Sequence, residues 1–198
     1  SFFKKQILLR ILKKSKLIIC DAYHMRDELK KLNVPSDKIN IINFGVDTKK
    51  FFKQERNSKV LEKFHISDEL TIISLRNFEP VYDIKTLIFA AKIVLKEIPG
   101  VRFVLVGRGT LEKELKELVH SLGIDNSVYF TGFIDNQLLP SLLSSSDIYV
   151  STSLSDAGIA ASTAEAMSCE TPVVISVSAE NNKWINDKVN GFLFSTKN

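Results

Sequence analysis

Short runs of uninterrupted apolar residues recur along this chain, separated by amphipathic segments of helical period. From residue 71 onward the rhythm is regular. It predicts strands over 71–75, 101–106, 128–130, 148–150, 172–175 and 191–194, with helices over 84–97, 111–122, 137–144 and 160–167. A strand that is apolar on both faces must be covered on both, as happens in a parallel sheet between helical layers. The expected fold class is therefore α/β, a doubly wound parallel sheet. Ahead of it, helices are predicted over 2–14 and 22–32, and strands over 17–20 and 39–42. Residues 44–57 are polar and irregular and read as a linker, followed by a weak helix over 58–64.

Ligands of such sheets bind outside the carboxyl ends of the strands, where the strand order reverses. Function is therefore expected in the loops after residues 75, 106, 131 and 151.

Composition excludes several other classes. With 44% apolar and 25% charged residues, the chain has the means to bury a core and is not disordered. No run of about 18 apolar residues occurs, so a membrane-spanning helix is not expected. Cys20 and Cys169 lie 149 positions apart and form no CxxC pair, which speaks against a disulfide scaffold or a zinc ribbon. Free thiols suit a reducing cytosol. The net charge of +4 is uneven: residues 1–63 carry a net +9 and residues 64–198 a net −5. The first 16 residues hold Lys4, Lys5, Arg10, Lys13, Lys14 and Lys16 and no acid. Such a skew points to an anionic partner, lipid or nucleic acid. Ile7, Leu8, Ile11 and Leu12 share a helical face among these cations, a combination that fits an anionic membrane surface, although Phe2 and Leu9 lie off that face and a helix packed on a further domain is the favoured reading. No signal peptide is legible, because Arg10 interrupts the apolar stretch. The expected location is the cytoplasm, peripheral to the cytoplasmic face of the membrane.

Three loops could carry chemistry. Val106-Gly107-Arg108-Gly109 joins a strand to a helix. It could bring backbone to a phosphate, but a plain tight turn is the favoured reading. The third glycine of the dinucleotide fingerprint is replaced by Glu112, which argues against a nicotinamide cofactor. Arg76 leaves a strand end where an anion would sit, and its guanidinium can fork onto phosphate oxygens. The alternative is a surface pair with Glu79 or Asp83. The third loop, 151–167, runs through small residues into a helix bearing Glu165. Free N–H groups at a helix start attract a diphosphate. Glu165 would then accept hydrogen bonds from vicinal hydroxyls, or else simply stabilise the helix. His24, His65 and His120 have no metal-ligand spacing and read as surface residues. No Ser-His-Asp triad or GxSxG elbow is legible.

Taken in order, these segments resemble a known family. Asn43-Phe44-Gly45-Val46-Asp47 with Phe51, then Arg76, then Val106-Gly107-Arg108-Gly109 are three of them. Phe130-Thr131-Gly132-Phe133-Ile134, Glu165-Ala166-Met167 with Thr171-Pro172-Val173-Val174, and Asn190-Gly191-Phe192 complete the set. The pattern is similar to that of the retaining GT-B glycosyltransferases of group 1, or family 4, which include sucrose synthase and bacterial mannosyl- and N-acetylglucosaminyltransferases. Members are longer than this chain. The resemblance therefore implies that residues 1–43 are the tail of an N-terminal acceptor-binding domain and 44–57 an interdomain linker. Residues 58–198 would be the nucleotide-sugar donor domain, truncated at its C-terminus.

The same resemblance implies residue roles. Arg76 would grip the diphosphate, Glu165 would hold the ribose, and backbone near Ile134 would meet the base. Gly158, Ile159, Ala160, Ala161 and Ser162 would cradle phosphate and sugar. Tyr82 and Asp83 stand where the family has a lysine. Ala157 stands at the first of its paired glutamates, with Asp156 the nearest acid, and Glu170 replaces a glycine. Arg76, Asp156 and Glu165 are the candidate catalytic residues. The implied activity is retaining transfer of a sugar from UDP or GDP to a saccharide or lipid-linked acceptor, with no cofactor, metal or nucleic acid. The alternatives are a non-catalytic nucleotide-sugar-binding or scaffold protein, and a GT-B nucleotide-sugar epimerase.

Overall fold

The computed structural model describes residues 2–196 apart from His65 and Asp68, so the reading of His65 lies outside the described residues. The N-terminal part comprises α1 (Phe2–Lys14), β1 (Ile18–Cys20), α2 (Tyr23–Lys31) and β2 (Ile39–Ile41). β1 and β2 pair in parallel, Ile18 opposite Ile39. Leu12, Cys20, Val34 and Ile39 form the small core of this part. Residues 44–57 contain no helix or strand.

The larger part begins with α3 (Ser58–Glu62) and β3 (Thr71–Leu75). There follow α4 (Ile84–Glu97), β4 (Arg102–Val106), α5 (Glu112–Ser121), β5 (Val128–Gly132), α6 (Leu139–Ser145) and β6 (Ile148–Ser151). α7 (Ala161–Ser168), β7 (Val173–Val177), α8 (Asn181–Trp184) and β8 (Phe192–Ser195) complete it. The six strands β3 to β8 form one parallel sheet in the order β5-β4-β3-β6-β7-β8. The expected doubly wound α/β sheet is thus present. Its order reverses between β3 and β6, which puts the crevice for a ligand at the carboxyl ends of those two strands.

Residue alternation explains the two cores. Along β4, Phe103 and Leu105 point to one face and meet Ile88 and Leu115. Val104 and Val106 point to the other and meet Tyr149, Leu142 and Ile175. In α4, Ile84, Leu87, Ile88 and Ala91 recur at helical spacing and are buried. Each large side chain so buried contributes about 1.5–3 kcal/mol. Three elements had no periodic signal: α8 and the 3-10 turns Ser36–Lys38 and Pro80–Tyr82. Each is four residues or fewer, shorter than the window over which a helical period can show.

Two features tie the loops to the sheet. The Gly107 and Gly109 turn lies against the segment that follows β3. A Cβ on Gly107 would overlap the Arg76 carbonyl, and one on Gly109 would overlap that of Phe78. The Phe78 N–H donates to the Arg108 carbonyl at 2.9 Å, and the Leu111 N–H donates to Phe78 at 2.9 Å. The glycines therefore serve close packing of two loops. The second feature is a clip between α2 and the turn before α8. Buried Glu180 accepts the His24 backbone N–H at 2.9 Å and pairs with Lys183 at 3.0 Å. The Lys183 ammonium in turn lies 4.2 Å from the centre of the Tyr23 ring.

Gly109→Ala should cost about 1–3 kcal/mol, the usual penalty of overpacking. Urea denaturation checks this, and an unchanged midpoint would mean the two loops are not interlocked.

Candidate functional site

A cavity of about 430 Å³ opens at the carboxyl ends of the sheet. Its volume is in the range of small-molecule sites. The loops after β3, β4, β5 and β6 all contribute walls.

Arg76 directly follows β3 and is only 9% exposed. Its Nε donates to Ser151 Oγ at the end of β6, at 2.9 Å. Its Nη2 donates to both carboxylate oxygens of Asp156, at 2.9 and 2.8 Å. The Tyr82 ring lies 5.2 Å from the guanidinium carbon. Nη1 has no hydrogen-bond partner among the described residues. The expected alternative, a surface pair with Glu79 or Asp83, is corrected here. Glu79 accepts both the backbone N–H and the hydroxyl of Thr110, at 2.9 and 2.7 Å. Asp83 takes a left-handed conformation, φ 46°, and accepts the Thr86 hydroxyl at 2.8 Å. Glu79 is thus committed to the loop after β4 and Asp83 to the start of α4, so the buried cation is met from the end of β6 and the loop after it instead.

Burial pushes the Asp156 carboxyl above the usual aspartate range, against the opposing pull of the Arg76 guanidinium. Behind the pair, Ser151 bonds Ser153 at 3.3 Å, and Ser176 donates its hydroxyl to the Ser153 carbonyl. A polar floor of small hydroxyls thus supports the charges.

α7 starts at the cavity with Ala160 as its cap and no side-chain hydrogen bond there. Its first N–H groups therefore remain free for an anion. Ser162 Oγ lies 2.8 Å from the hydroxyl of the fully buried Tyr149, which anchors the helix start to β6. Glu165, one turn on, also lines the cavity. Burial raises its pKa, and Lys50 opposes that weakly.

Every candidate named from the sequence, Arg76, Tyr82, Ile134, Asp156, Gly158, Ile159, Ala160, Ala161, Ser162 and Glu165, lines this one cavity. Sequence reasoning missed Asp21, from the N-terminal part, and Phe133, which is 80% exposed at the rim. Phe133 sits inside the Phe130–Ile134 segment already singled out. Asp21 carried no signal, because its neighbours in space are remote in sequence. Among the described residues lining the cavity, Arg76 is the one cation, against Asp21, Asp156 and Glu165. Lys85, at the start of α4 after the Arg76 loop, is paired with Glu114 on α5. No group of three or more His, Cys, Asp or Glu among the described residues is placed to hold a metal.

The family described as Glycosyl transferases group 1 matches residues 53–198, and the chain belongs to that family. Its six-stranded part is the C-terminal, Rossmann-like half of a GT-B fold. Over 183 residues it is 31% identical to the alpha-monoglucosyldiacylglycerol synthase of Streptococcus pneumoniae, covering 89% of this chain and 41% of that protein. Anabaena HepE, solved with UDP-glucose, superposes with a TM-score of 0.86 at 22% identity, over 97% of this chain and 53% of HepE. The C-terminal domain of the group 1 glycosyl transferase LpcC from Francisella tularensis superposes at 0.69 with 28% identity, over 77% of this chain and 81% of that domain. The chain thus spans 41% of its pneumococcal relative and about half of HepE.

Arg76→Ala should destabilise the protein by about 3–5 kcal/mol, because it strands a buried carboxylate. Arg76→Met combined with Asp156→Leu should recover most of that loss, as measured by urea denaturation. If the double variant is as unstable as the single one, the pair is not what the charge of Asp156 depends on.

Glu165 sets a pH dependence. Its folded pKa lies above the ordinary glutamate value of 4.5, so its neutral form favours the folded state. That contribution is complete below pH 4.5 and is lost as pH rises through the raised value. Relative to Glu165→Gln, the wild-type melting temperature should therefore fall as pH increases from 4.5 to 7. A constant difference between the two would show that burial does not perturb this carboxyl.

Proposed function

We propose that this chain is the donor-binding part of a retaining glycosyltransferase. Residues 58–198 would bind a UDP- or GDP-sugar, 44–57 would link the domains, and 1–43 would belong to the acceptor-binding domain. The observation that carries the reading is convergence. One buried arginine, one uncapped helix start and one cavity-lining glutamate meet at the switch point of a parallel sheet. Arg76 Nη1 and the N–H groups at the start of α7 would take the diphosphate charge. Glu165 would accept the ribose hydroxyls, and Ile134 backbone and Phe133 would meet the base. In the transfer itself, the C1–phosphate oxygen bond breaks, the acceptor oxygen bonds C1 on the same face, and its proton passes to the departing diphosphate. This needs no protein nucleophile and no metal. HepE, of the same fold, was solved with UDP-glucose, which supports the assignment.

The acceptor would be a lipid or saccharide, reached at an anionic membrane surface. Phe3, Ile7, Leu8 and Ile11 of α1 are exposed, while Leu12 packs inward. The six basic residues of the first 16 surround this apolar stripe. Among the described residues no helix is long and apolar enough to cross a membrane. The pneumococcal relative carries diacylglycerol in its name, which fits a lipid acceptor.

UDP or GDP at about 100 times its Kd should raise the melting temperature by about 5–10 °C, equally with and without EDTA. A shift that EDTA abolishes, or no shift with either nucleotide, would refute the donor-site assignment. In vesicle flotation, the chain should rise with phosphatidylcholine containing phosphatidylglycerol and not with phosphatidylcholine alone. Equal flotation in both would remove the membrane role.

A further inference from the structure

The cavity holds three carboxylates, and they differ in what surrounds them. Asp156 is saturated by Arg76. Glu165 sits on α7 within the field of Lys50. Asp21 alone comes from the N-terminal part, and its carboxylate makes no ion pair or hydrogen bond among the described residues.

Asp21 is nevertheless held rigidly. It follows β1 and precedes the fully buried Ala22. Its carbonyl accepts the Asn43 side-chain amide at 2.8 Å. On the other side that carbonyl rests on Gly158, where an added Cβ would approach it to 3.0 Å. The clip between His24 and Glu180 fixes α2 just beyond. The chain therefore fixes the Asp21 backbone against Gly158, and Asp21 lines the cavity together with Ala157 and Gly158, whose own side chains are a methyl group and a hydrogen.

An unpaired carboxylate repels phosphate and attracts hydroxyl donors, since an ionised carboxylate can only accept hydrogen bonds. Of the parts of a nucleotide sugar, the diphosphate is thereby excluded as its partner. On the same reading the ribose already has Glu165 and the base has Ile134 and Phe133, which leaves the transferred sugar. Resting on the reading of this cavity as a donor site, we infer that Asp21 binds hydroxyl groups of the donor's sugar. It makes the N-terminal part a wall of the donor site as well as of the acceptor side, and it gives the sugar an anionic recognition group that the 157–162 segment lacks.

The test compares sugar nucleotides with the bare diphosphates, without acceptor. UDP, UDP-glucose, UDP-N-acetylglucosamine, GDP and GDP-mannose are titrated calorimetrically into the wild-type chain, Asp21→Asn and Asp21→Ala. Circular dichroism confirms that the variants are folded. With charge-assisted hydrogen bonds at stake, both variants should lose about 10- to 150-fold in affinity for the preferred sugar nucleotide. Their affinity for the matching bare diphosphate should stay level or rise. An equal loss on both ligands would make Asp21 a structural residue and overturn the inference. So would no loss on either, or a wild type that gains nothing from any of the three sugars. Failure of every nucleotide to bind wild type would refute the donor-site reading itself, and the inference with it.

Discussion

A guanidinium buried at the carboxyl edge of a central strand is the constraint around which the site is organised. Isolated, such a charge would cost several kcal/mol to desolvate. Arg76 meets that cost with two hydrogen bonds to Asp156, one to Ser151 and the face of Tyr82. Three separate segments must therefore converge on one side chain. The loop after β3, the end of β6 and the turn before α7 all supply partners to it. The glycines at 107 and 109 belong to the same arrangement. They let the next loop pass close behind the Arg76–Phe78 backbone, so that the guanidinium is presented from a rigid base.

This arrangement changes what the arginine can offer a ligand. Its charge is already balanced by Asp156, and Lys85 is engaged with Glu114. A diphosphate entering here would depend on the remaining Nη1 donors and on the backbone N–H groups at the start of α7. Those dipoles are fixed before the ligand arrives and need no reorganisation. The remaining acids suit the hydroxyl-rich parts of a nucleotide sugar. Under the proposed donor-site reading, the one lining cation would serve phosphate recognition and the two carboxylates not paired with it, Asp21 and Glu165, hydroxyl recognition.

Much of this was legible in the residues, for identifiable reasons. Helices and strands were predicted within a few residues because their periods of 3.6 and their apolar runs are local properties. The wall of the cavity was legible because doubly wound sheets gather their strand-end loops on one side. The glycine turn was read as a tight turn in preference to a phosphate cradle. The proximity of the Phe78 carbonyl supplies the packing reason for it, while Gly107 also lines the cavity. Asp156 was named as the acid nearest to Ala157, but its partner was not, since Arg76 lies 80 residues away.

The sequence by itself determined which segments form strands and helices, and that they stack as a parallel sheet with its loops on one edge. Those outcomes follow from burial patterns repeated every two or three to four residues. The tertiary structure alone decided which charges meet. It chose Asp156 over Glu79 and Asp83 for Arg76, and it carried Asp21 to the side of Gly158. Pairing energies depend on separation and on exclusion of water, and neither quantity exists until remote segments have been packed together.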